Sequence, residues 1–462
     1  MSLMPKLETS PAAEAPPRRL VSLDAFRGFV MLAMASGGFA ISRVYDKHPS
    51  IISRFDDTPW GVAWDALWKT LGEQLSHVEW TGCTAWDLIQ PSFTFIVGAA
   101  LPFSLARRQS RGDSAWEWLG HVLVRSIALI LLGIFLRSRG ARMTNFTFED
   151  TLTQIGLGYT FVALLVNRGF FLQLVALLAI LGGYWNYFYQ QPVPVPEGND
   201  VTRYLTEVRT AGPAEWSQFG GLKAHWNKHT NAAAEFDRKF LNKFPRSEEE
   251  WNGKQFWING GGYQTLSFIP TAGTMILGLM AGQLLRSLRT QTEKFQRLIL
   301  GGAICFVVAM ACDTTIWPVS PETLGLHGWS LCPVVKRIWT PTWTVFSGGW
   351  CLMSLAMFYW VIDIKGFRGL SFPLVVVGMN SIVMYCMHEL IFGWVGSMLK
   401  IHLTTLDAIN FRWGDKLRHT RTVEFLFNDA YRFAPILASM AILFVLWLIC
   451  LWLYRRKLFV RI

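Results

Sequence analysis

The segment 87–105, "DLIQPSFTFIVGAALPFSL", opens on one acid and then runs eighteen residues without a charge. A helix needs roughly 20 apolar residues to cross the ~30 Å hydrocarbon core of a bilayer. In that core only a helix or a closed barrel satisfies its own backbone. Such segments recur along the chain, and they predict spans at 22–42, 87–106, 119–137, 151–167, 170–189, 264–285, 298–316, 343–363, 372–394 and 433–454. The run at 151–167 is the shortest and is polar at its start. The expected fold class is therefore all-α, a polytopic membrane helix bundle of about ten transmembrane helices. A chain of 462 residues would otherwise suggest roughly three soluble domains. Its composition argues against that, since 16% of residues are charged and 52% are hydrophobic, where soluble proteins carry about 25% charge.

The net charge of +11 does not point to nucleic acid. Lys and Arg sit in short clusters at the ends of apolar runs, as the positive-inside bias requires, and the 22 tryptophans suit membrane interfaces. One set of connections carries Arg18 and Arg19, Arg107 and Arg108 with Arg111, the stretch 286–297, Lys365 with Arg368, and Arg455, Arg456 and Lys457. That set belongs in the cytoplasm, and an even number of spans returns both termini there. Residues 75–87 then lie on the extracytoplasmic face. Arg137, Arg139 and Arg142 fall on that side too and run against the bias.

Residues 1–18 read as a disordered cytoplasmic tail, Pro/Ala-rich and without the apolar core of a signal peptide. The transmembrane domain, 19–462, carries an extracytoplasmic insertion at 190–262 between the fifth and sixth helices. The insertion opens "QQPVPVPEGND", an extended exit from the membrane. It continues through mixed charges and aromatics, "EFDRKFLNKFPRSEEEWNGKQFW", which predict a small helical cap. "WINGGGYQ" has no phosphate-binding context and reads as a flexible loop leading back to the membrane. The seven cysteines include no C-x-x-C pair. Cys83 and Cys332 are the two able to face outward together, so a disulfide between them is open.

Ionisable groups crowd "LSHVEWTGCTAWDL", residues 75–88. His77 has no Cys or His at ligand spacing, so no metal is expected. A histidine near neutrality suits a general base or a nucleophile, against the plainer reading of an interfacial side chain bonded to a loop carbonyl. Asp87 opens a helix, where the dipole alone favours an acid. Asp24 and Arg27, in "SLDAFRG", stand at i and i+3 and can pair on one face. Arg125 sits inside an apolar run, where an ionisable group defaults to a functional hypothesis. Gln154, Asn380, Ser381 and His388 are further polar groups on membrane helices. Asn380 and His388 are eight apart, about two turns, and should share a face. Together these residues suggest a polar cavity through the bundle, with interhelical hydrogen bonding as the plainer alternative.

Six stretches carry a resemblance: "RRLVSLDAFRGFVMLAM", "HVEWTGCTAWDLIQPSFTFIVGAALPFSL", "TLTQIGLGYTF", "FIPTAGTMILGLMAGQLL", "WTPTWTVFSGGWCLMSLAMFYWVIDIKGF" and "GMNSIVMYCMHE". In this order the chain resembles the heparan-α-glucosaminide N-acetyltransferase family and its bacterial relatives. The second and last stretches are the most specific, and the insertion at 190–262 lies outside the likeness. The resemblance implies transmembrane acetylation, with acetyl-CoA drawn from the cytoplasm and an amino sugar or glycan acetylated on the far side. It implies a multi-pass protein of the bacterial inner membrane, in contact with lipid, with a homodimer as its plausible assembly. The family's catalytic histidine falls on "HVEWTG", hence His77. Where the eukaryotic enzyme has an asparagine late in its first span, Gly38 stands here in "AMASGGFAIS".

The expected mechanism has CoA phosphates near Arg27 with Asp24, and the pantetheine arm passing Arg125, Gln154 and Asn380, with Ser381 and His388 beside it. The thioester would meet His77, with Asp87 or Glu79 orienting the imidazole. Acetyl-CoA is the co-substrate, and no metal is required. Two alternatives remain at this level. One is an O-acyltransferase with an "LDGLRG"-like first helix, which usually carries a later histidine in that helix; none occurs from Phe29 to Ser42. The other is a transporter or binding protein, for which inverted repeats would speak.

Overall fold

The computed structural model describes residues 20–49, 58–193, 219–248, 257–319, 321–325, 328–408, 411–413, 416–418, 426–427 and 432–460. The tail at 1–18 lies outside the described residues, as does much of the insertion. Among the described residues eight helices are long and apolar enough to cross a membrane, or nine if one bent pair counts as a single span. The fold is an all-α multi-pass bundle, with one two-stranded hairpin, Phe411–Trp413 with Lys416–Arg418, after the long penultimate helix.

In chain order the helices are α1 (Val21–Ala35), α2 (Ile41–Lys47), α3 (Pro59–Gln74), α4 (Ile89–Gln109), α5 (Ala115–Arg137), α6 (Thr151–Leu164), α7 (Phe170–Gln190) and α8 (Ala232–Phe240). They continue with α9 (Phe268–Arg286), α10 (Gln291–Cys312), α11 (Pro341–Phe358), α12 (Arg368–Met379), α13 (Ser381–Ala408) and α14 (Ala434–Arg455). Capping boxes start α5 and α10. Ser114 pairs reciprocally with Glu117, and Thr290 with Glu293, satisfying backbone donors that the helix itself leaves open. The outward faces carry apolar side chains for lipid, as with Val124, Ile127, Leu131 and Phe135 of α5.

The centre is held by glycine. A Cβ placed at Gly98 of α4 would collide with the Met275 carbonyl of α9, and one at Gly278 or Gly282 of α9 with the carbonyls of Phe95 or Ala99. The two backbones are therefore in direct contact, the packing that small residues four apart allow. Gly28 of α1 and Gly378 of α12 form a second such contact, against Leu374 and Asp24.

Two expected spans are broken. The first bends by 47° between α1 and the Gly38–Lys47 stretch, where Gly37, Gly38, Phe39 and Ala40 all have φ between 54° and 64°. The span expected at 372–394 is two helices, because Asn380 (φ −127°, ψ 41°) leaves the helical region. Its Oδ1 accepts the Val460 amide at 3.1 Å, which ties the chain after α14 to the break. Asn380 and His388 consequently do not share one helix face. With 14 and 12 residues, α6 and α12 reach only about 21 and 18 Å and do not span by themselves. The end of α14 lies at the same end of the bundle as the start of α1, since Ser439 near the start of α14 bonds the Ser36 carbonyl beyond the end of α1.

At the opposite end an aromatic layer covers the bundle. Trp80, Tyr184, Phe188 and Trp226 pack with Leu266 and Ile338, joining α7 to the described part of the insertion. Arg246 of the insertion lies 3.7 Å over the Trp257 ring and donates to the Phe146 carbonyl, fastening this layer to the α5–α6 loop.

Candidate active site

Asp87 organises the loop that follows α3. It sits on the short turn that opens α4 and is fully buried. Its Oδ2 accepts from the Thr84 amide (3.2 Å) and lies 2.9 Å from the Thr84 hydroxyl. Its Oδ1 lies 2.7 Å from His77 Nδ1 and 3.1 Å from Lys336 Nζ. Ten residues of chain thus fold back over their own carboxylate, which brings the imidazole to it. His77 is half-exposed, whereas Lys336 is 5% exposed.

Lys336 arrives from the loop before α11. Thr81 and Val335 form an antiparallel bridge, and the Gly82 amide donates to the Val334 carbonyl at 3.0 Å. Asp313 Oδ2 and the Thr340 hydroxyl accept the amides of Val334 and Val335. These bonds fix the register that points the ammonium at Asp87. Burial pulls the Lys336 ammonium below the usual lysine range, and the adjacent Asp87 opposes that pull. Because Asp87 is anionic and acceptor-only, the network assigns the Nδ1 proton to His77 and leaves Nε2 as the open base.

His77 and Lys336 line a cavity of about 400 Å³ at the end of the bundle that bears the aromatic layer, the outer end in the topology expected from the sequence. Its wall also includes Trp86, Gln90, Arg137, Glu149, Asn259 and Tyr263. The insertion supplies the last group but one, through the loop leading into α9. Burial raises Glu149 and Asp150 above the usual carboxylate range, with Arg137 opposing in both cases.

A second cavity, about 260 Å³, lies toward the other end and is lined by Asp24, Arg27, Arg107, Arg125 and Ser381 among others. Arg27 stands 3.6 Å from Asp24, the pairing that their i, i+3 spacing predicts. Arg125 lies 4.8 Å over the Tyr159 ring, and its Nε is buried without a hydrogen-bond partner. Phe93 lines both cavities. Gln90, Phe93, Val97, Ala100, Ser104 and Arg107 recur every three or four residues, so one face of α4 runs from the imidazole's cavity to the arginines. That face is about 25 Å long.

Of the ten residues singled out in the sequence, His77 and Asp87 meet at the outer cavity, and Asp24, Arg27, Arg125 and Ser381 at the inner one. Four stand elsewhere. Glu79 is exposed, and Asp87 alone of the two acids bonds the imidazole. Gln154 donates to the Phe148 and Thr265 carbonyls and stitches the outer loops, outside either lining. Asn380 holds the α12–α13 break. His388 faces a separate cavity with Ser36, Arg43 and Phe392. Lys336, Arg137, Glu149, Asn259 and Tyr263 were not singled out. The one signal for Lys336 was a pair of adjacent cations, Lys336 and Arg337, in the otherwise apolar run "CPVVKRIW". Cys83 and Cys332 are both free thiols. Among the described residues no group of three His, Cys, Asp or Glu is placed to hold a metal ion.

Fold and site define a multi-pass membrane protein with a histidine–aspartate–lysine centre at one mouth of its bundle. No family model matches the chain. It is 25% identical over 405 residues to heparan-alpha-glucosaminide N-acetyltransferase of Homo sapiens, a match covering 81% of this chain and 53% of the human protein. To the enzyme of the same name from Mus musculus it is 22% identical over 354 residues, covering 68% and 49%. The chain is a distant relative of these N-acetyltransferases and spans about half the length of the curated relatives it matches.

Proposed function

We propose that this protein is a transmembrane acetyltransferase that carries acetyl from acetyl-CoA, bound from the cytoplasmic side of a bacterial inner membrane, to an acceptor on the outer face. The observation that carries the reading is the continuous face of α4, which joins a cluster of arginines to the cavity of a histidine through one shared side chain, Phe93. CoA has the matching asymmetry, with phosphates at one end and a thioester at the other. Arg27, Arg107 and Arg125 suit the phosphates, and the apolar positions Val97 and Ala100 suit the pantetheine arm.

At the thioester, His77 Nε2 acts as general base toward the acceptor, or attacks the acetyl carbonyl itself and hands the group on. Asp87 fixes the tautomer that leaves Nε2 free and stabilises the imidazolium that follows. Lys336 lines the same cavity, with Nζ 3.3 Å from the imidazole's Nδ1, and is the cation assigned to the developing oxyanion. In the first route the thioester C–S bond breaks and the thiolate takes the proton that the imidazole drew from the acceptor; in the second the thiolate leaves as Nε2 is acetylated, and it is protonated once the acceptor has displaced the imidazole and given up its proton.

The test is thermal stability of the detergent-purified protein with and without acetyl-CoA, in wild type and His77→Ala. A ligand that prefers the folded state raises apparent stability. Both proteins should be stabilised, and only wild type should transfer acetyl. A His77→Ala protein that transfers at the wild-type rate refutes the assignment of His77. No stabilisation of either protein at generous acetyl-CoA refutes the CoA site and returns the weight to a transporter or binding protein.

A further inference from the structure

The outer cavity contains one carboxylate that serves neither the histidine centre nor a helix cap. Asp150 is committed to capping α6: Oδ1 accepts the Leu152 and Thr153 amides at 2.9 and 3.3 Å, and Oδ2 the Thr153 hydroxyl at 2.8 Å. Asp87 is committed to His77 and Lys336. Glu149 lines the same cavity as His77, and the donors to it are uncharged: Oε1 accepts from Asn259 Nδ2 at 3.2 Å, and the residue's own backbone amide also bonds the carboxylate. Arg137 faces it, but the field of that guanidinium does not overcome the burial. A carboxylate withdrawn from water without a close cation is costly, and a cation brought in by a ligand relieves that cost. Around it, Gln90, Thr151 and Asn259 offer hydrogen bonds and Trp86 and Tyr263 offer flat rings, a lining suited to a sugar ring that bears the cation.

We propose that Glu149 is a second base of this site, which meets the ammonium of an amino-sugar acceptor and takes the proton that it must lose. The proposal rests on the acetyl-transfer reading and adds a residue to it. An amino sugar enters as R–NH3⁺, and its charge is met by the Glu149 carboxylate. One proton passes to Glu149, leaving R–NH2 and a carboxylic acid. The nitrogen lone pair then forms the C–N bond at the acetyl carbonyl. The bond from that carbonyl to sulfur, or to the imidazole of an acetylated His77, breaks. A second proton leaves nitrogen for the His77 imidazole and ends on the CoA thiol, and the third remains in the amide. Glu149 returns its proton to water at the cavity mouth. A hydroxyl acceptor carries no ammonium and needs none of this.

The experiment compares wild type, Glu149→Gln and Glu149→Asp in detergent, with acetyl-CoA and either glucosamine or N-acetylglucosamine, across a pH range in which the amine of glucosamine passes from cation to free base. The other charged or titratable groups around Glu149 are Asp150 at the α6 cap, Arg137 on α5, Asp237 on α8, Tyr263 before α9, and His77 and Lys336 across the cavity. Wild type and variant share all of them, so the difference between their pH profiles belongs to Glu149. In Glu149→Gln, kcat/KM for glucosamine should fall about 100-fold where the amine is cationic, the scale of one general base, and the loss should shrink as free amine accumulates. Glu149→Asp should recover part of it. Stabilisation by acetyl-CoA should be unchanged in both variants, which shows that they are folded.

Equal loss at every pH, or wild-type turnover of glucosamine by Glu149→Gln, overturns the proposal. Wild-type transfer to N-acetylglucosamine hydroxyls but not to the glucosamine amine also overturns it, while leaving acetyl transfer intact. A wild type that neither transfers acetyl nor is stabilised by acetyl-CoA overturns the reading beneath it and this proposal together.

Discussion

The ion pair between Asp87 and Lys336 makes a prediction that the geometry can size. Both side chains are out of water, at 0% and 5% exposure, and their charged atoms are 3.1 Å apart. Removing one partner of a buried pair costs roughly 3–5 kcal/mol, because the other charge is left behind. The two removals should differ. In Lys336→Met, Asp87 keeps the neutral donors of Thr84 and the imidazole of His77, so the cost sits near the lower end, about 3 kcal/mol. In Asp87→Asn, Lys336 loses its counter-charge and is left 3.3 Å from a His77 Nδ1 that carries a proton and offers it no acceptor, so the cost moves toward the upper end. Deprotonation sets a ceiling on that cost. Holding a lysine neutral costs about 1.4 kcal/mol for each pH unit below its unfolded value of about 10.4, hence about 4.6 kcal/mol at pH 7 and about 1.9 at pH 9.

The sign follows from the proton count. A lysine whose folded pKa is lowered binds more protons unfolded than folded between the two values, so stability rises with pH through that window. Asp87→Asn should therefore regain stability between pH 7 and pH 9, and Lys336→Met should not. The double variant, Asp87→Asn with Lys336→Met, buries no uncompensated charge. It should be destabilised by only about 1–2 kcal/mol, far less than the sum of the single variants. The assay is the thermal midpoint of the four proteins in one detergent at the two pH values, and the ordering decides. If the double variant falls as far as the singles added together, within about 0.5 kcal/mol, the two charges are not coupled and Lys336 is not held by Asp87.

Two further outcomes are expected. Asp237 has Oδ2 bonded to the Thr265 amide, has Oδ1 buried without a partner, and is pushed up to about 7 by burial. A raised acid binds more protons folded than unfolded, so its contribution to stability is lost as pH rises from about 4 to about 7; Asp237→Asn should raise the thermal midpoint at pH 8, by an amount bounded near 4 kcal/mol, and by less at pH 5, where the bound is about 1.5 kcal/mol, and equal effects at both would show that the charge is not the cause. Arg125→Met should weaken acetyl-CoA binding roughly tenfold or more, the worth of one charge-assisted bond, with the deficit narrowing in high salt; unchanged affinity would remove Arg125 from the phosphate site.

The apolar runs were readable because a bilayer imposes a length and a composition on any helix that crosses it. Their interruptions were not. Asn380 sits in an unbroken apolar pattern, and only the Val460 amide that its side chain accepts explains why the helix stops there. The pairing of His77 with Asp87 did not follow from spacing, since ten residues of loop can close in many ways; the resemblance pointed to the histidine, and the Thr84 bonds explain the closure. Lys336 is 259 positions from His77, a convergence that helix packing and the Thr81–Val335 bridge produce and that no local pattern encodes. His388 carried the same kind of signal as Arg125, a polar group in an apolar helix, yet it opens on a different cavity. The signal marks a buried polar group and does not say which one it joins.

Arg137 shows where better information lay. As a cation on the outer side it counted against the topology, because loop charge was read only as a vote on orientation. The structure puts it in the wall of the outer cavity beside Glu149 and Asp150. Positive-inside bias acts on solvated loop charges near the ends of spans, whereas a guanidinium that shares a cavity wall with Glu149 and the buried Asp150 is there for their charge and carries no such vote. A basic residue that breaks the bias at the end of a span, with two acids waiting at the head of the next helix, is therefore evidence for a polar site at that mouth. Arg137, Glu149 and Asp150 were all visible in "LRSRGARMTNFTFED". What the string could not supply was the fold of the α5–α6 loop that sets the three against one cavity.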